Sequence, residues 1–289
     1  MHFKKAKGIL SPTNGMNLCR GCTHGCIYCD SRSLCYNIGH DFEDVEIKIN
    51  DPELLEARLR SKRRRCMIGT GAMSDPYIPI NESLELTRTC LKIIEKYGFG
   101  LAIQTKSNLI LRDLELLGSI NKKAKCIVQM TLTTFDENLC KIVEPSVSTS
   151  RERFEALKIF RDHGIETIVW LGPLLPFIND TAENLQGILN YCIEAGVYGI
   201  LCFGIGMTLR EGSRDYYYSK LDQHFPGLRS RYEKRYGTRY IIDSDNQAEL
   251  MALFEKTCGE NNIAFGLEKL FKHMSLFEEK PEAKQGELF

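Results

Sequence analysis

The reactive side chains of this sequence crowd into one short stretch near its start, Cys19-Arg20-Gly21-Cys22-Thr23-His24-Gly25-Cys26-Ile27-Tyr28-Cys29. Cys22, Cys26 and Cys29 follow the spacing C-x3-C-x2-C. Three thiolates on so short a loop can wrap one face of an iron–sulfur cube, a cluster normally held by four cysteines. Three protein ligands leave one iron open, and an open metal position is where a substrate or cofactor binds. Gly21 and Gly25 let the backbone turn tightly and approach closely. Cys19 extends the string to C-x2-C-x3-C-x2-C, so a closed four-cysteine site for zinc or a cluster is a second reading. Structural zinc, however, usually draws on two cysteine pairs separated by a longer loop. A thioredoxin-like pair of Cys26 and Cys29 is disfavoured by the extra Cys22 and by the lack of the expected strand and helix around it. Plain structural cysteines fit least, because unpaired thiols rarely crowd in a glycine-rich loop.

The elements that must position this loop alternate short apolar runs with amphipathic helices. Strands are expected near Met16 and over Cys66–Thr70, Leu101–Thr105, Cys126–Leu132, Thr167–Leu171 and Val197–Phe203. Helices are expected over Asn81–Tyr97 and Asp113–Asn121, from the Thr149/Glu152 capping box to Gly164, and from Asp180/Glu183 to Gly196. Nearly continuous apolar strands alternating with helices imply parallel pairing buried on both faces. Six such units fit in residues 10–225, whereas a closed eight-unit barrel needs roughly 250 residues. The expected fold is therefore α/β, an incomplete six-stranded parallel β/α barrel of the TIM type, with a doubly wound open sheet as runner-up. The barrel core is read as residues 1–225, a peripheral helical extension as 226–275, and a charged, loosely held tail as 276–289. Gln129, Thr131 and Thr133 alternate along one strand and share a face. Polar groups there suit ribose or carboxylate contacts. Arg151, near a helix start where a cation opposes the helix dipole, would be offset by a bound carboxylate.

The chain has 289 residues, 43% apolar and 26% charged, with 38 basic and 38 acidic side chains. That balance fits a globular protein and argues against disorder. No apolar run reaches the roughly 18 residues of a membrane span, and the basic start MHFKKAKGIL lacks an apolar export region. A cytoplasmic protein with no membrane partner is the expectation. Seven of the twelve cysteines sit in apolar segments as small buried hydrophobes.

The cysteine spacing at the head of a β/α chain resembles the radical S-adenosylmethionine (SAM) superfamily, and Tyr28 matches the aromatic residue usual just before its last cluster cysteine. Further stretches resemble the branch related to spore photoproduct lyase: Asn17–Cys26, Ser74-Asp75-Pro76-Tyr77-Ile78-Pro79, Thr105-Lys106-Ser107 with Arg112-Asp113, Glu144-Pro145 with Arg151, and Pro173–Asp180. The resemblance covers roughly residues 10–205. It implies a [4Fe-4S] cluster on Cys22, Cys26 and Cys29, whose fourth iron is chelated by the amino and carboxylate groups of SAM. It implies reductive cleavage of SAM to a 5′-deoxyadenosyl radical, and an electron donor such as flavodoxin or ferredoxin. Gly69, Thr70, Gly71, Ser74 and Asp75, after the second strand, would meet the SAM amino group. Lys106 would meet its carboxylate, and Leu174 and Leu175 would flank the adenine. One position departs: the lyase has a hydrogen-donating cysteine before its Ser-Asp pair, where this chain has Met73. Thymine-dimer lyase chemistry is therefore not implied.

The substrate stays open among three readings: nucleic acid or a nucleotide, a small metabolite or peptide, and no reaction at all in a simple metal-binding module. Neutral net charge removes the simplest case for a nucleic-acid binder. Two local features favour one: the basic run Arg58–Arg65, and residues 229–240, which interleave arginine, lysine and tyrosine as phosphate contact and base stacking require. The last five residues, 285–289, resemble the Q-x-x-L-F pentapeptide that docks bacterial proteins on the sliding clamp.

Overall fold

In a computed structural model, described over residues 1–280, six parallel strands form one sheet. They are β1 (Gly15–Met16), β2 (Met67–Thr70), β3 (Gly100–Thr105), β4 (Cys126–Leu132), β5 (Glu166–Leu171) and β6 (Gly199–Cys202). Their spatial order equals their chain order, each strand pairing with the next. A doubly wound sheet must reverse its strand order at a switch point; this sheet never does, so it is the partial barrel.

Side-chain alternation along the strands sets two faces. Ile68, Leu101, Ile103, Val128, Met130, Val169 and Ile200 point outward into a core shared with the helices α1 (Asp51–Ser61), α2 (Asn81–Tyr97), α3 (Leu114–Lys123), α5 (Ser150–Asp162) and α6 (Ala182–Ala195), while α4 (Glu137–Val143) joins through Val143 a separate cluster with Cys26, Ile27 and Tyr28. Met67, Ala102, Ile127, Ile168 and Leu201 point inward. The Thr149 hydroxyl accepts from the Glu152 backbone while Glu152 reaches back, so the expected capping box forms. The next helix is capped by Thr181, not Asp180, whose carboxylate instead accepts from Ser244. The helix expected over Asp113–Asn121 runs as α3 over Leu114–Lys123, directly after a 3-10 turn over Asn108–Asp113.

The C-terminal extension is less peripheral than its composition suggests. After α7 (Ser213–His224), it contains α8 (Leu228–Tyr236), α9 (Gln247–Glu260) and α10 (Leu267–Ser275). Leu270 and Met274 of α10 fill the inner face of the sheet against Met67, Ile127 and Ile168. An apolar inner face of an incomplete barrel has no other wall to bury it, and that need recruits the helix. Part of the expected loose tail is also placed, since Glu279 bridges Ala124 and the Lys125 amide donates to the Glu278 carbonyl. The expected clamp-docking residues 285–289 lie outside the described residues. No helix among the described residues is long and apolar enough to cross a membrane.

Candidate active site

The cysteine loop leaves a small strand, Cys19–Arg20, and crosses the mouth of the barrel beyond the C-terminal ends of the strands. Its backbone is tied at several points. Cys22 N–H donates to Phe42 O, Ile27 N–H to Val143 O, and Ser146 N–H to His24 O. Gly21 has φ +84°, and a Cβ there would lie 2.3 Å from the Phe42 carbonyl oxygen, so only glycine fits. Cys26 is buried, and Cys22 and Cys29 are half-buried. Burial, then Asp75, pushes the Cys22 thiol up to about 12, and burial also raises Cys26. Thiolates there need cationic company. Cys29 raises both the Cys22 and the Cys26 thiol, and Cys22 raises Cys26 further, so the three lie near one another. They are not gathered within 4.8 Å, as a single ion would require. A cube with iron at its corners suits that wider spacing. The Thr23 hydroxyl, inside the same loop, is buried without a partner.

Cys26, Tyr28, Cys29 and Lys106 line one cavity of about 530 Å³ together with Gly172 and Pro173. Lys106 follows the end of β3. Burial alone would lower its pKa, but Cys26, Glu144, Cys29 and Asp75 together raise it. It has no carboxylate within ion-pair distance among the described residues. A cation held ready beside two of the thiols is a receptor for a carboxylate. Asp75 aims this lysine. Its carboxylate accepts from Thr105 Oγ1 at 2.6 Å, from the Lys106 amide at 2.7 Å and from the Tyr77 amide at 2.8 Å, with buried His24 3.5 Å away. Ser74 donates to the Gly21 carbonyl at 2.7 Å, joining the segment after β2 to the cysteine loop. Gly71 packs onto β3 so closely that a Cβ would stand 1.9 Å from the Gln104 carbonyl oxygen.

Gly69, Thr70 and Gln129 lie deeper, around an inner chamber of about 380 Å³ that α10 closes. The two chambers share Ala72 and Trp170. Gln129 accepts from the Trp170 indole at 2.7 Å. Thr131, two residues nearer the C-terminal end of β4, is also buried. Two expected residues fall elsewhere. Arg151 is exposed on α5 and pairs with Glu155, because its position faces away from the sheet. Leu174 is fully buried in the outer core, leaving Gly172 and Pro173 as the cavity wall.

The buried arginine is Arg153. It pairs with Glu144, both side chains fully enclosed, and donates to the Thr131 carbonyl at 2.6 Å. The Tyr28 hydroxyl donates to the other oxygen of the same carboxylate. Burial would raise the Glu144 carboxyl, yet Arg153 and then Lys106 hold it below its ordinary value. The signal for Arg153 was its place on the apolar stripe with Leu157 and Phe160. The signal for Trp170 was its alternation with inward Ile168. Phe203, 62% exposed, stacks on Trp170 at the rim, beside Tyr240. The basic–aromatic stretch 229–240 does not form the expected stacking surface. Tyr232 and Tyr236 are in the core, Arg229 pairs with Asp222 and Glu233, and Arg235 pairs with Asp245.

Residues 16–192 match the model of the radical SAM superfamily. An uncharacterized protein of Mycobacterium tuberculosis is 31% identical over 223 residues, covering 75% of this chain and 65% of the relative, so the chain spans a little under two thirds of that protein. Among solved structures, a spore photoproduct lyase mutant with bound AdoMet and dinucleoside spore photoproduct aligns with TM-score 0.63 at 15% identity, covering 91% of this chain and 78% of its own. The radical SAM methyltransferase TsrM from Kitasatospora setae, with cobalamin and a [4Fe-4S] cluster bound, aligns with TM-score 0.58 at 12% identity, covering 90% and 59%. The fold is shared with both, and the extent of the family match settles the membership: the chain belongs to the radical SAM superfamily, whose cofactors are a [4Fe-4S] cluster and S-adenosylmethionine.

Proposed function

We propose that Cys22, Cys26 and Cys29 hold the cluster, that the chamber beside them takes SAM, and that the chain is an enzyme acting on nucleic acid. The observation that carries the enzymatic reading is the convergence of Cys26, Cys29 and unpaired Lys106 on one cavity at the C-terminal ends of the strands, where β/α barrels place their chemistry. When bound, the cofactors supply one-electron cleavage of the sulfonium and hydrogen-atom abstraction. The chain's own residues do the rest. Lys106 takes the SAM carboxylate, Asp75 fixes the lysine's backbone, Pro173 and Gly172 wall the chamber, and the Trp170–Phe203 stack shields it from water. Met73 lies in the wall, where a thioether has no hydrogen to give, so another group must quench the product radical.

Lys106→Met is expected to weaken SAM binding about 10- to 100-fold, the worth of one charge-assisted hydrogen bond, while iron content stays at the wild-type level. Equilibrium binding to the reconstituted protein measures it. Unchanged affinity would remove Lys106 from the SAM site.

The substrate class rests on a neighbouring cavity of about 460 Å³ lined by Lys4, Lys5, Lys7, Arg20 and Lys48 against one carboxylate, Glu46. It shares Tyr36 and Met73 with the thiol chamber. A phosphate backbone seated there would pass directly by the reactive mouth. Binding of single-stranded nucleic acid is expected to fall roughly 50-fold between 50 and 200 mM salt if about four phosphates are neutralised. Lys5→Gln/Lys7→Gln should flatten the log–log slope by about 1.4. Salt-independent binding, with SAM cleavage indifferent to DNA and RNA, would favour a small metabolite or peptide.

A further inference from the structure

Two histidines that take no part in the chemistry above converge on Glu46, the one carboxylate of the basic cavity. His2, His40 and Glu46 each offer one ligand atom, and these atoms lie within 4.8 Å of one another, the sole such trio among the described residues. They come from separate segments. His2 lies on the strand His2–Lys4, and Glu46 stands opposite it on the parallel partner strand Glu46–Lys48. His40 is on the loop that leads to that partner. Glu46–Lys48 also pairs antiparallel with Cys19–Arg20, the strand feeding the cysteine loop.

Both imidazoles are already oriented as ligands. His2 Nδ1 is 2.9 Å from Asp44 Oδ2, and His40 Nδ1 is 2.9 Å from the Asp41 backbone carbonyl. A carbonyl oxygen only accepts, so His40 Nδ1 carries the proton and Nε2 carries the lone pair. The carboxylate of Asp44 favours the same tautomer in His2. His2 Nε2 is then 3.8 Å from Glu46 Oε2. His40 Nε2 is shut away from solvent with no hydrogen-bond partner. A buried acceptor left unmet is uncommon and calls for an explanation. An imidazole whose outer nitrogen is held by a carboxylate, with its inner nitrogen turned toward a second carboxylate, has the arrangement of a metal-bound histidine, and His40 brings a nitrogen into the same space. The rings meet edge to face, 4.8 Å between centroids. Lys4, 58% exposed, occupies Glu46 Oε2 at 2.8 Å, and its long side chain is free to swing into solvent when a cation arrives.

We propose that His2, His40 and Glu46 bind one zinc-type divalent cation, with water completing the coordination. Two imidazole nitrogens and a carboxylate oxygen suit zinc rather than magnesium or calcium. The site is a clip. It ties the N-terminal strand to the segment His40–Phe42, whose Phe42 carbonyl accepts from Cys22 N–H at 2.9 Å, and so steadies the first cysteine of the cluster loop.

The test uses the iron-loaded full chain, its three thiols occupied, stripped with EDTA and titrated with zinc alone. Elemental analysis should find one zinc per chain, absent from the His2→Ala/His40→Ala variant at unchanged iron content. Asp44→Ala, which keeps all three ligands, should weaken zinc about tenfold or more. Cobalt in place of zinc should give visible d–d bands without thiolate charge transfer, a readout that needs no variant to fold. No zinc beyond the iron, zinc retained by the double variant, or a thiolate–cobalt spectrum would each overturn the proposal.

Discussion

Cys26→Ala is expected to leave a colourless protein with little iron and with SAM cleavage reduced roughly a thousandfold or more, at least about 4 kcal/mol of barrier. The reason is the ligand count. A cluster held at three corners that loses one keeps two thiols on a loop whose burial already disfavours thiolates. Cys19→Ala is the contrasting variant. Cys19 is 3% exposed, lies 3.4 Å from the Ser83 hydroxyl and belongs to the outer core, so its loss should cost about 1 kcal/mol of packing and spare the iron. Elemental analysis and anaerobic 5′-deoxyadenosine release measure both. A brown Cys26→Ala protein would end the three-cysteine assignment, and a colourless Cys19→Ala protein would restore the closed four-cysteine site.

The barrel was legible because its signals are local. β4 runs over Cys126–Leu132 and α2 over Asn81–Tyr97, the ranges that apolar period and flanking glycine indicate. The cysteine loop was legible because a cluster needs several thiols close together in sequence. Arg151 and Arg153 show where that reach ends. Two residues apart on one helix, they point about 200° apart; the helix-dipole argument chose the first, and the apolar stripe belonged to the second. The role of α10 was equally hidden. Its apolar face marks it as a packing helix, but nothing local says that the surface it covers is the inside of the barrel. The stretch 229–240 failed in the opposite sense: alternating arginine and tyrosine describes a nucleic-acid surface and an amphipathic helix equally well, and here acidic partners on Asp222, Glu233 and Asp245 decided for the helix.

The largest expected loss of stability follows from an ion pair of which the motifs marked only Glu144. Glu144 is the carboxylate partner of a guanidinium with no solvent exposure, and Glu144→Gln leaves that charge buried and uncompensated. Removing one member of such a pair costs about 3–5 kcal/mol. Arg153→Met should cost less, because the stranded carboxylate still faces Lys106 and still accepts from Tyr28. The double variant should cost less than the sum of the two, since neither charge then remains alone. Urea unfolding of the four proteins gives the cycle. A Glu144→Gln protein within about 1 kcal/mol of wild type would show that the pair is not sealed from water. The same pair bears on the chemistry through Tyr28, which precedes Cys29 and hangs from Glu144. If the pair holds the last cluster cysteine in place, Glu144→Gln should also loosen iron, and Arg153→Met, which leaves the tyrosine its acceptor, should retain more of it.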